Sequence, residues 1–146
     1  MDVDVTTEIE IARPRERVAA FATDPARATQ WYANITSARL LTPAPIANGS
    51  QIAFSAKFLG RRLDYTYEVA EYVAGERLVM RTTDGPFAME TTYEWSDVGS
   101  GGTRMLLRNR GRPSGFAAIM GRAMEGAMRR ANRKDLARLK AILEAA

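Results

Sequence analysis

The chain has 146 residues, of which 46% are hydrophobic and 26% are charged, as is typical of one globular domain with its own core. It contains no cysteine and no histidine, which excludes disulfides, thiolate or imidazole metal sites, and nucleophile pairs that need either residue. The net charge of +4 is uneven: residues 1–98 hold 10 basic and 14 acidic side chains, and residues 99–146 hold 11 and 3. We predict one domain over residues 1–146, with no metal and no cofactor.

The compartment is predicted from what the chain lacks. No stretch reaches the roughly 18 to 20 apolar residues that span a bilayer. The amino terminus, Met-Asp-Val-Asp-Val, is acidic where a signal peptide would be basic. We therefore expect a cytoplasmic protein without a transmembrane segment. No feature of the sequence indicates its oligomeric state.

The first predicted elements are a strand and two short helices. Residues 3–12 alternate apolar and polar side chains, which predicts a strand with one solvent-facing side. Pro14 suits the start of a short helix, because its missing N–H would be unpaired there. Asp24 is a good cap for a second short helix, which carries Trp31 and Tyr32.

Residues 35–111 change to a period of two and predict six more strands. Apolar side chains alternate with polar ones between turns at residues 42–49, 60–61, 75, 84–86 and 99–102. Short strands joined by tight turns make an antiparallel meander with one apolar face.

The last predicted element is a long amphipathic helix over residues 116–145, about 45 Å long at 1.5 Å per residue. One of its faces is apolar and consists of Met124, Met128, Leu136, Leu139, Ile142 and Leu143. Its front half is apolar over a wider arc, which either packs against the short helices or a loop, or lines a cavity. Asn132 and Asp135 fall within the buried arc, and we expect sheet backbone or a neighbouring arginine to bond them.

Several segments of the chain resemble a known family. They are residues 9–18 with the following Phe21-Ala22-Thr23-Asp24, then Trp31, Gly102-Thr103-Arg104 and residues 129–140. Together with the order of elements, they resemble the helix-grip fold of the START-like superfamily, also called SRPBCC, in its bacterial polyketide cyclase/dehydrase-like branch. The resemblance implies a single START-like domain of the α+β class. It would have a curved antiparallel sheet of about seven strands around a long C-terminal helix, with two short helices after the first strand.

The resemblance also implies a hydrophobic cavity between sheet and helix that receives lipids, sterols or polyketides. We expect this cavity to bind a small hydrophobic or aromatic molecule, for transport or sequestration. No catalytic residue is assigned. The predicted ligand-binding residues are Trp31, Phe54, Phe58, Tyr65, Tyr67, Met89, Thr91, Tyr93, Trp95, Met105, Leu107, Asn109, Phe116, Met120 and Met124. The alternative for each of them is that it only fills the core.

Two other functions are compatible with the sequence. A polyketide cyclase or aromatase needs a proton donor or acceptor, and without histidine the candidates are Tyr65, Tyr67, Tyr93, Asp64, Arg61 and Arg62. Alternation points Asp64 away from the apolar face. A regulatory or nucleic-acid-binding role would use the basic C-terminal helix, but its cations lack interleaved aromatics and are typical of an ordinary solvent-facing surface. We predict a binding protein rather than an enzyme, and the pattern argues against a nucleic-acid partner.

Overall fold

The computed structural model describes residues 3–58, 60–112 and 116–146, with side chains from residue 123 onward in the last segment. Seven strands form one antiparallel sheet: β1 (Val3–Ile11), β2 (Ile35–Leu40), β3 (Gln51–Phe58), β4 (Arg61–Val73), β5 (Arg77–Asp84), β6 (Met89–Val98) and β7 (Gly102–Gly111). Their order across the sheet is β1-β7-β6-β5-β4-β3-β2. The first strand therefore pairs with the last, and the six later strands form the predicted meander.

The helices follow the predicted order with one difference. They are α1 (Arg15–Ala22), a 3-10 helix at Pro25–Arg27, α2 (Ala28–Trp31) and α3 (Phe116–Ala145). The second predicted short helix is thus split, and Asp24 caps its 3-10 part by accepting from the N–H of Ala26 at 3.0 Å. Tyr32, predicted within this helix, lies one residue beyond α2 in an extended conformation.

The inner face of the sheet is apolar, because side chains alternate along each strand. On β3, Ile52 and Phe54 are buried while Lys57 is exposed. Register shifts near residues 35–37 in the β2–β3 pair and 66–71 in the β4–β5 pair add local bends to the sheet. Most buried side chains of the strands form one core with the leucines of α3, among them Leu136 and Leu139. Val3 and Val5 of β1 form a second, smaller cluster with Met124 of α3.

The outer face of the sheet carries a network of ion pairs. Arg108 of β7 donates twice to Asp4 of β1, at 2.9 and 2.6 Å. Glu90 of β6 accepts from Arg81 and Arg110, each at 2.7 Å. Acidic and basic side chains thus pair across this face, which lies toward solvent and leaves the apolar face for the interior.

The C-terminal half of α3 is tied to the first strand and the residues after it. Glu144 accepts from the backbone N–H of Ala12 at 2.8 Å, and Lys140 donates to the carbonyl of Glu10 at 2.7 Å. Arg13 donates back to the carbonyl of Glu144 at 2.6 Å. These contacts fix where the helix crosses the inner face of the sheet.

A hydrogen bond of Thr103 connects β7 with the segment that follows β1. The Thr103 hydroxyl is fully buried and donates to the carbonyl of Arg13 at 2.7 Å. Thr103→Val keeps the branched shape and removes this bond, so we expect the free energy of unfolding in urea to fall by about 1–2 kcal/mol. The control Thr6→Val makes the same change at an exposed strand position and should alter it by less than about 0.5 kcal/mol. Equal effects at the two positions would contradict the role of the Thr103 bond.

Candidate functional site

The candidate site lies on the inner face of the sheet, where two small pockets open. The first, here called the methionine pocket, measures about 40 Å³ and is lined by Val3, Tyr67, Phe87, Met89, Asn109, Arg110, Gly111, Met124 and Met128. The second, called the tyrosine pocket, measures about 20 Å³ and is lined by Ala22, Thr23, Asp24, Pro25, Ala28, Tyr32, Ile52, Phe54, Leu78, Met80 and Tyr93. Each has room for water rather than for a ligand that needs several hundred Å³.

Four tyrosines lie between and along the two pockets. We call them the phenol cluster; they are Tyr32, Tyr65, Tyr67 and Tyr93. The rings of Tyr65 and Tyr67 pack edge to face with centroids 5.1 Å apart, and the ring of Phe54 lies 5.4 and 5.7 Å from them. The hydroxyl of Tyr93 is hydrogen-bonded to that of Tyr32, which follows α2. Since Tyr67 lines the methionine pocket and Tyr93 lines the tyrosine pocket, the cluster connects them.

A chain of hydrogen bonds orients Tyr67. Its hydroxyl lies 2.8 Å from Oγ1 of Thr91, which donates to Oδ1 of Asn109 at 2.6 Å. Because Thr91 gives its only proton to Asn109, it accepts from Tyr67. Burial raises the pKa of Tyr67 to about 12, against the lowering effect of the Thr91 bond, and burial also raises the pKa of the other three phenols. All four phenols are therefore neutral at pH 7.

Asp135 on α3 is the one buried carboxyl group among the described residues. Its Oδ1 accepts from the backbone N–H of Ala33, in the loop after α2, at 3.0 Å. Burial raises the pKa of Asp135 to about 6, while the Ala33 bond and the charge of Arg138 lower it. Its own charge raises the pKa of Tyr32 and Tyr93, and the amide that it bonds, Ala33, directly follows Tyr32 in the chain. The hydrogen-bond partner is thus a loop amide, where we expected sheet backbone or an arginine.

Asn132 lies one turn before Asp135 on α3 and is only 4% exposed. Its Nδ2 has no hydrogen-bond partner among the described residues. Sheet backbone, which we expected to bond this amide, therefore does not bond its nitrogen among the described residues. An arginine, the other partner that we expected, could donate only to its oxygen. A buried amide without a partner is rare, because leaving it unpaired is destabilising.

The structure brings many of the predicted site residues to the pockets. Six of them line one pocket or the other: Phe54, Tyr67, Met89, Tyr93, Asn109 and Met124. Three more lie beside those six. Phe58 packs against the cluster that contains Met124, and Tyr65 and Thr91 each contact Tyr67.

The other predicted site residues are placed differently. Four are at most 4% exposed, are packed into the core and line neither pocket: Trp31, Trp95, Met105 and Leu107. The side chains of Phe116 and Met120 lie outside the described residues. A ligand-binding role for any of the fifteen stays a prediction.

Three of the pocket residues that sequence reasoning missed are Tyr32, Phe87 and Met128. Tyr32 and Phe87 line the tyrosine and methionine pockets, and Met128 lines the latter from α3. A signal existed for two of them, because Met128 stands on the apolar helix face and Phe87 precedes Met89 by two positions. Tyr32 gave no such signal, since its partner is 61 residues away.

The basic face of α3 divides into two parts. Arg138 and Lys140 donate to backbone carbonyls, at 2.6 and 2.7 Å, and so hold the helix in place. The remaining cations make no ion pair within the part of the chain that the structure describes; they are Arg129, Arg130, Arg133 and Lys134. The absence of a nucleic-acid partner stays a prediction. No helix among the described residues is both long and apolar enough to cross a membrane.

Comparison with known proteins gives matches over nearly the whole chain. A family model described as polyketide cyclase/dehydrase and lipid transport matches residues 2–144. A solved structure from Thermus thermophilus is 21% identical, with a TM-score of 0.84 over 98% of this chain and 99% of that one. A START superfamily protein from Mycobacterium smegmatis is 16% identical, with a TM-score of 0.80 over 97% of both chains.

The similar structures include an enzyme. The Zhui aromatase/cyclase from Streptomyces sp. R1128 is 14% identical, with a TM-score of 0.81 over 99% of this chain and 94% of that one. A search of curated protein sequences finds no match. These likenesses confirm the predicted START-like helix-grip fold.

Asp135 makes stability depend on pH in a defined direction. Its pKa is about 6 in the folded protein against an ordinary value of 3.8, so the folded state binds more protons between these values. The protonated carboxyl therefore makes its whole contribution to the free energy of unfolding below about pH 4. This contribution, about 3 kcal/mol, is lost as the pH rises through 6. Asp135→Asn keeps an acceptor for Ala33 and removes the titration. We expect urea denaturation to show near-equal stability at pH 4 and a more stable variant at pH 7.

The control for this effect is Asp64→Asn. The pKa of Asp64 is lowered by hydrogen bonds from Ser55 and Arg62, so its loss should not stabilise the protein at pH 7. If Asp135→Asn and wild type differ by the same amount at both pH values, the carboxyl does not titrate as described.

Proposed function

Because this chain belongs to the polyketide cyclase/dehydrase and lipid transport family, we propose that it binds a small hydrophobic or aromatic molecule, such as a lipid or a polyketide, between its sheet and α3. The observation that carries the proposal is the inner face of the sheet, where neutral hydroxyl and amide groups stand among apolar side chains. Such sites obtain affinity from apolar contact and orientation from a few polar groups. We expect the bound molecule to be transported or sequestered, in the cytoplasm.

Ligand binding requires the methionine pocket to enlarge. Its wall contains Met89, Met124 and Met128, whose unbranched side chains adapt to different shapes more readily than those of other apolar residues. The polar groups of the same wall are held, because Tyr67 and Asn109 are joined through Thr91. Movement of the methionines can therefore open the pocket toward the phenol cluster while the polar groups keep their positions.

A bulky side chain in the methionine pocket should block this binding. Wild type is expected to bind the neutral fluorescent probe N-phenyl-1-naphthylamine and to unfold at a higher temperature as the probe concentration rises. Met89→Trp should weaken binding at least about tenfold, a loss of about 1.4 kcal/mol, because the indole occupies the pocket.

The matched control is Leu41→Trp, which adds the same side chain at a position that is 46% exposed. Its probe affinity should equal that of wild type. A probe that binds Met89→Trp and Leu41→Trp equally well would place the binding site elsewhere, and a probe that binds no variant would contradict the proposal.

A cyclase or aromatase activity is the second candidate function. It is favoured by one observation: the buried Asp135, with a pKa of about 6, bonds the amide next to Tyr32, whose hydroxyl is hydrogen-bonded to that of Tyr93. A carboxyl with this pKa can hold or release a proton near neutral pH, as an aldol-type ring closure requires. The similar fold of the Streptomyces aromatase/cyclase agrees with such an activity but does not establish it.

This second function is tested with a linear poly-β-carbonyl compound. If the chain is a cyclase, wild type forms an aromatic product that is followed by its absorbance. Asp135→Asn should then lower the rate by about 100-fold or more, the usual contribution of a general acid or base, while it still binds N-phenyl-1-naphthylamine. No product with wild type, or equal rates with both proteins, would exclude Asp135 catalysis of this reaction.

A further inference from the structure

The starting point is the amide nitrogen of Asn132, which is buried and has no hydrogen-bond partner among the described residues. Two indole N–H groups of the core, those of Trp31 and Trp95, share this lack of a partner. Other buried polar groups are paired: Thr91 with Tyr67 and Asn109, and Asp135 with the Ala33 amide. A leucine at position 132 would suit the apolar face of α3 without this cost. The amide is therefore expected to meet an acceptor that is not part of the described chain.

The position of Asn132 on α3 relates it to both pockets. Met128 lies four residues before it and lines the methionine pocket. Asp135 lies three residues after it and acts electrostatically on Tyr32 and Tyr93, which line the tyrosine pocket. Residues three and four apart share one face of a helix. Asn132 thus shares one face of α3 with Met128 and Asp135, and it lines neither pocket in the ligand-free protein.

A second group, which lies on β4 of the sheet, can also donate. The structure gives the Tyr65 hydroxyl no hydrogen bond to any described residue, in contrast to the hydroxyls of Tyr32, Tyr67 and Tyr93. Tyr65 stacks on Phe54 at 5.4 Å and is half-buried at the inner face. Besides the indole N–H groups of Trp31 and Trp95, the interior therefore offers an amide N–H and a phenolic O–H that the described part of the protein leaves unused.

We propose that the Asn132 amide, assisted by the Tyr65 hydroxyl, binds an uncharged oxygen acceptor of the ligand, so that the site selects neutral ketones, esters or ethers over carboxylates. The proposal rests on the binding function given above and names the class of ligand. The donor at Asn132 orients the ligand, and the surrounding methionines and aromatic rings cover its apolar part.

Selection against carboxylates follows from the charges around Asn132. No lysine or arginine is buried among the described residues, and the one buried carboxyl, Asp135, is a single helical turn away. Arg138 donates to the carbonyl of Gln30, and Arg110 pairs with Glu90. The cations of α3 that make no ion pair within the described part of the chain are not buried, since Arg129 is half-buried and Arg130, Arg133 and Lys134 are exposed. A ligand carboxylate would be desolvated beside Asp135 without an opposite charge, which is unfavourable.

The test uses three probes of one ring size: naphthalene, 2-acetylnaphthalene and 2-naphthoate. Their affinities are measured by displacement of N-phenyl-1-naphthylamine from wild type and from Asn132→Leu. In wild type, 2-acetylnaphthalene should bind about tenfold more tightly than naphthalene, and 2-naphthoate should bind more weakly than 2-acetylnaphthalene by at least the same factor. Asn132→Leu should abolish the advantage of the ketone and leave the naphthalene affinity unchanged.

Stability supplies a readout that a purely structural amide would not give. Because the unpaired amide destabilises the ligand-free protein, Asn132→Leu should raise its unfolding temperature by about 3 °C or more. Asn109→Leu makes the same exchange at an amide that is already paired with Thr91, and it should lower the unfolding temperature. In wild type, the carbonyl stretch of bound 2-acetylnaphthalene should shift to lower frequency, as for a hydrogen-bonded ketone, a measurement that needs no variant.

The outcomes separate the two proposals. If naphthalene and the fluorescent probe both fail to bind, the proposed function itself is wrong. If they bind, but the ketone has no advantage in wild type or keeps it in Asn132→Leu, the assignment of Asn132 is overturned. A lower unfolding temperature for Asn132→Leu would mean that a buried water or another group already satisfies the amide, and would also overturn it.

Discussion

Burial of one face of a seven-stranded sheet by a single helix is the interaction on which the rest of the structure depends. A helix with its side chains is about 10 Å wide, so it cannot cover an inner face built from so many strands. The C-terminal half of α3 is fixed by Lys140 and Glu144, and its leucines complete a dense core. The remaining inner face is closed by α1, the 3-10 helix and α2. The pockets lie where these separate covers meet the sheet.

The polar groups beneath α3 make the free protein less stable than an apolar interior would. Asp135 raises the energy of the folded state at neutral pH, and Asn132 gives up hydrogen bonding that water supplies in the unfolded chain. Both stand at helix positions that leucine would fill well. Departures of this kind from optimal packing concentrate at functional sites, where stability is exchanged for chemistry. The proposed ligand gives these departures a common physical reason.

Charge is distributed by face, which links the fold to the kind of molecule that the interior suits. The strand arginines and carboxylates pair with each other on the outer face, as Arg108 does with Asp4. The inner face keeps hydroxyls, amides and neutral phenols, with Asp135 as the single buried carboxyl among the described residues. An interior of this composition can orient an uncharged oxygen without having to neutralise a charge.

Most of the fold was predictable because each strand and α3 has one side in water. Alternation along the strands and the apolar stripe of α3 follow from that exposure, and the tight turns between strands leave few ways to connect them. The split of the second short helix was not predicted, because the cap at Asp24 marks where a helix begins and not where a 3-10 turn gives way to an α-helix. Helix patterns this short carry too few residues to decide between the two.

The sequence by itself determined which side chains face inward, but only the tertiary structure decided which of them fill the core and which line a pocket. Met105 and Met89 both occupy inward-facing positions of their strands, yet Met105 packs with the α3 leucines and Met89 borders the methionine pocket. Likewise, the sequence placed Asn132 in the buried arc, but its lack of a partner among the described residues depends on side chains far away in the chain. Facing inward is a property of a strand or helix and its period, whereas packing depends on how distant elements fit together.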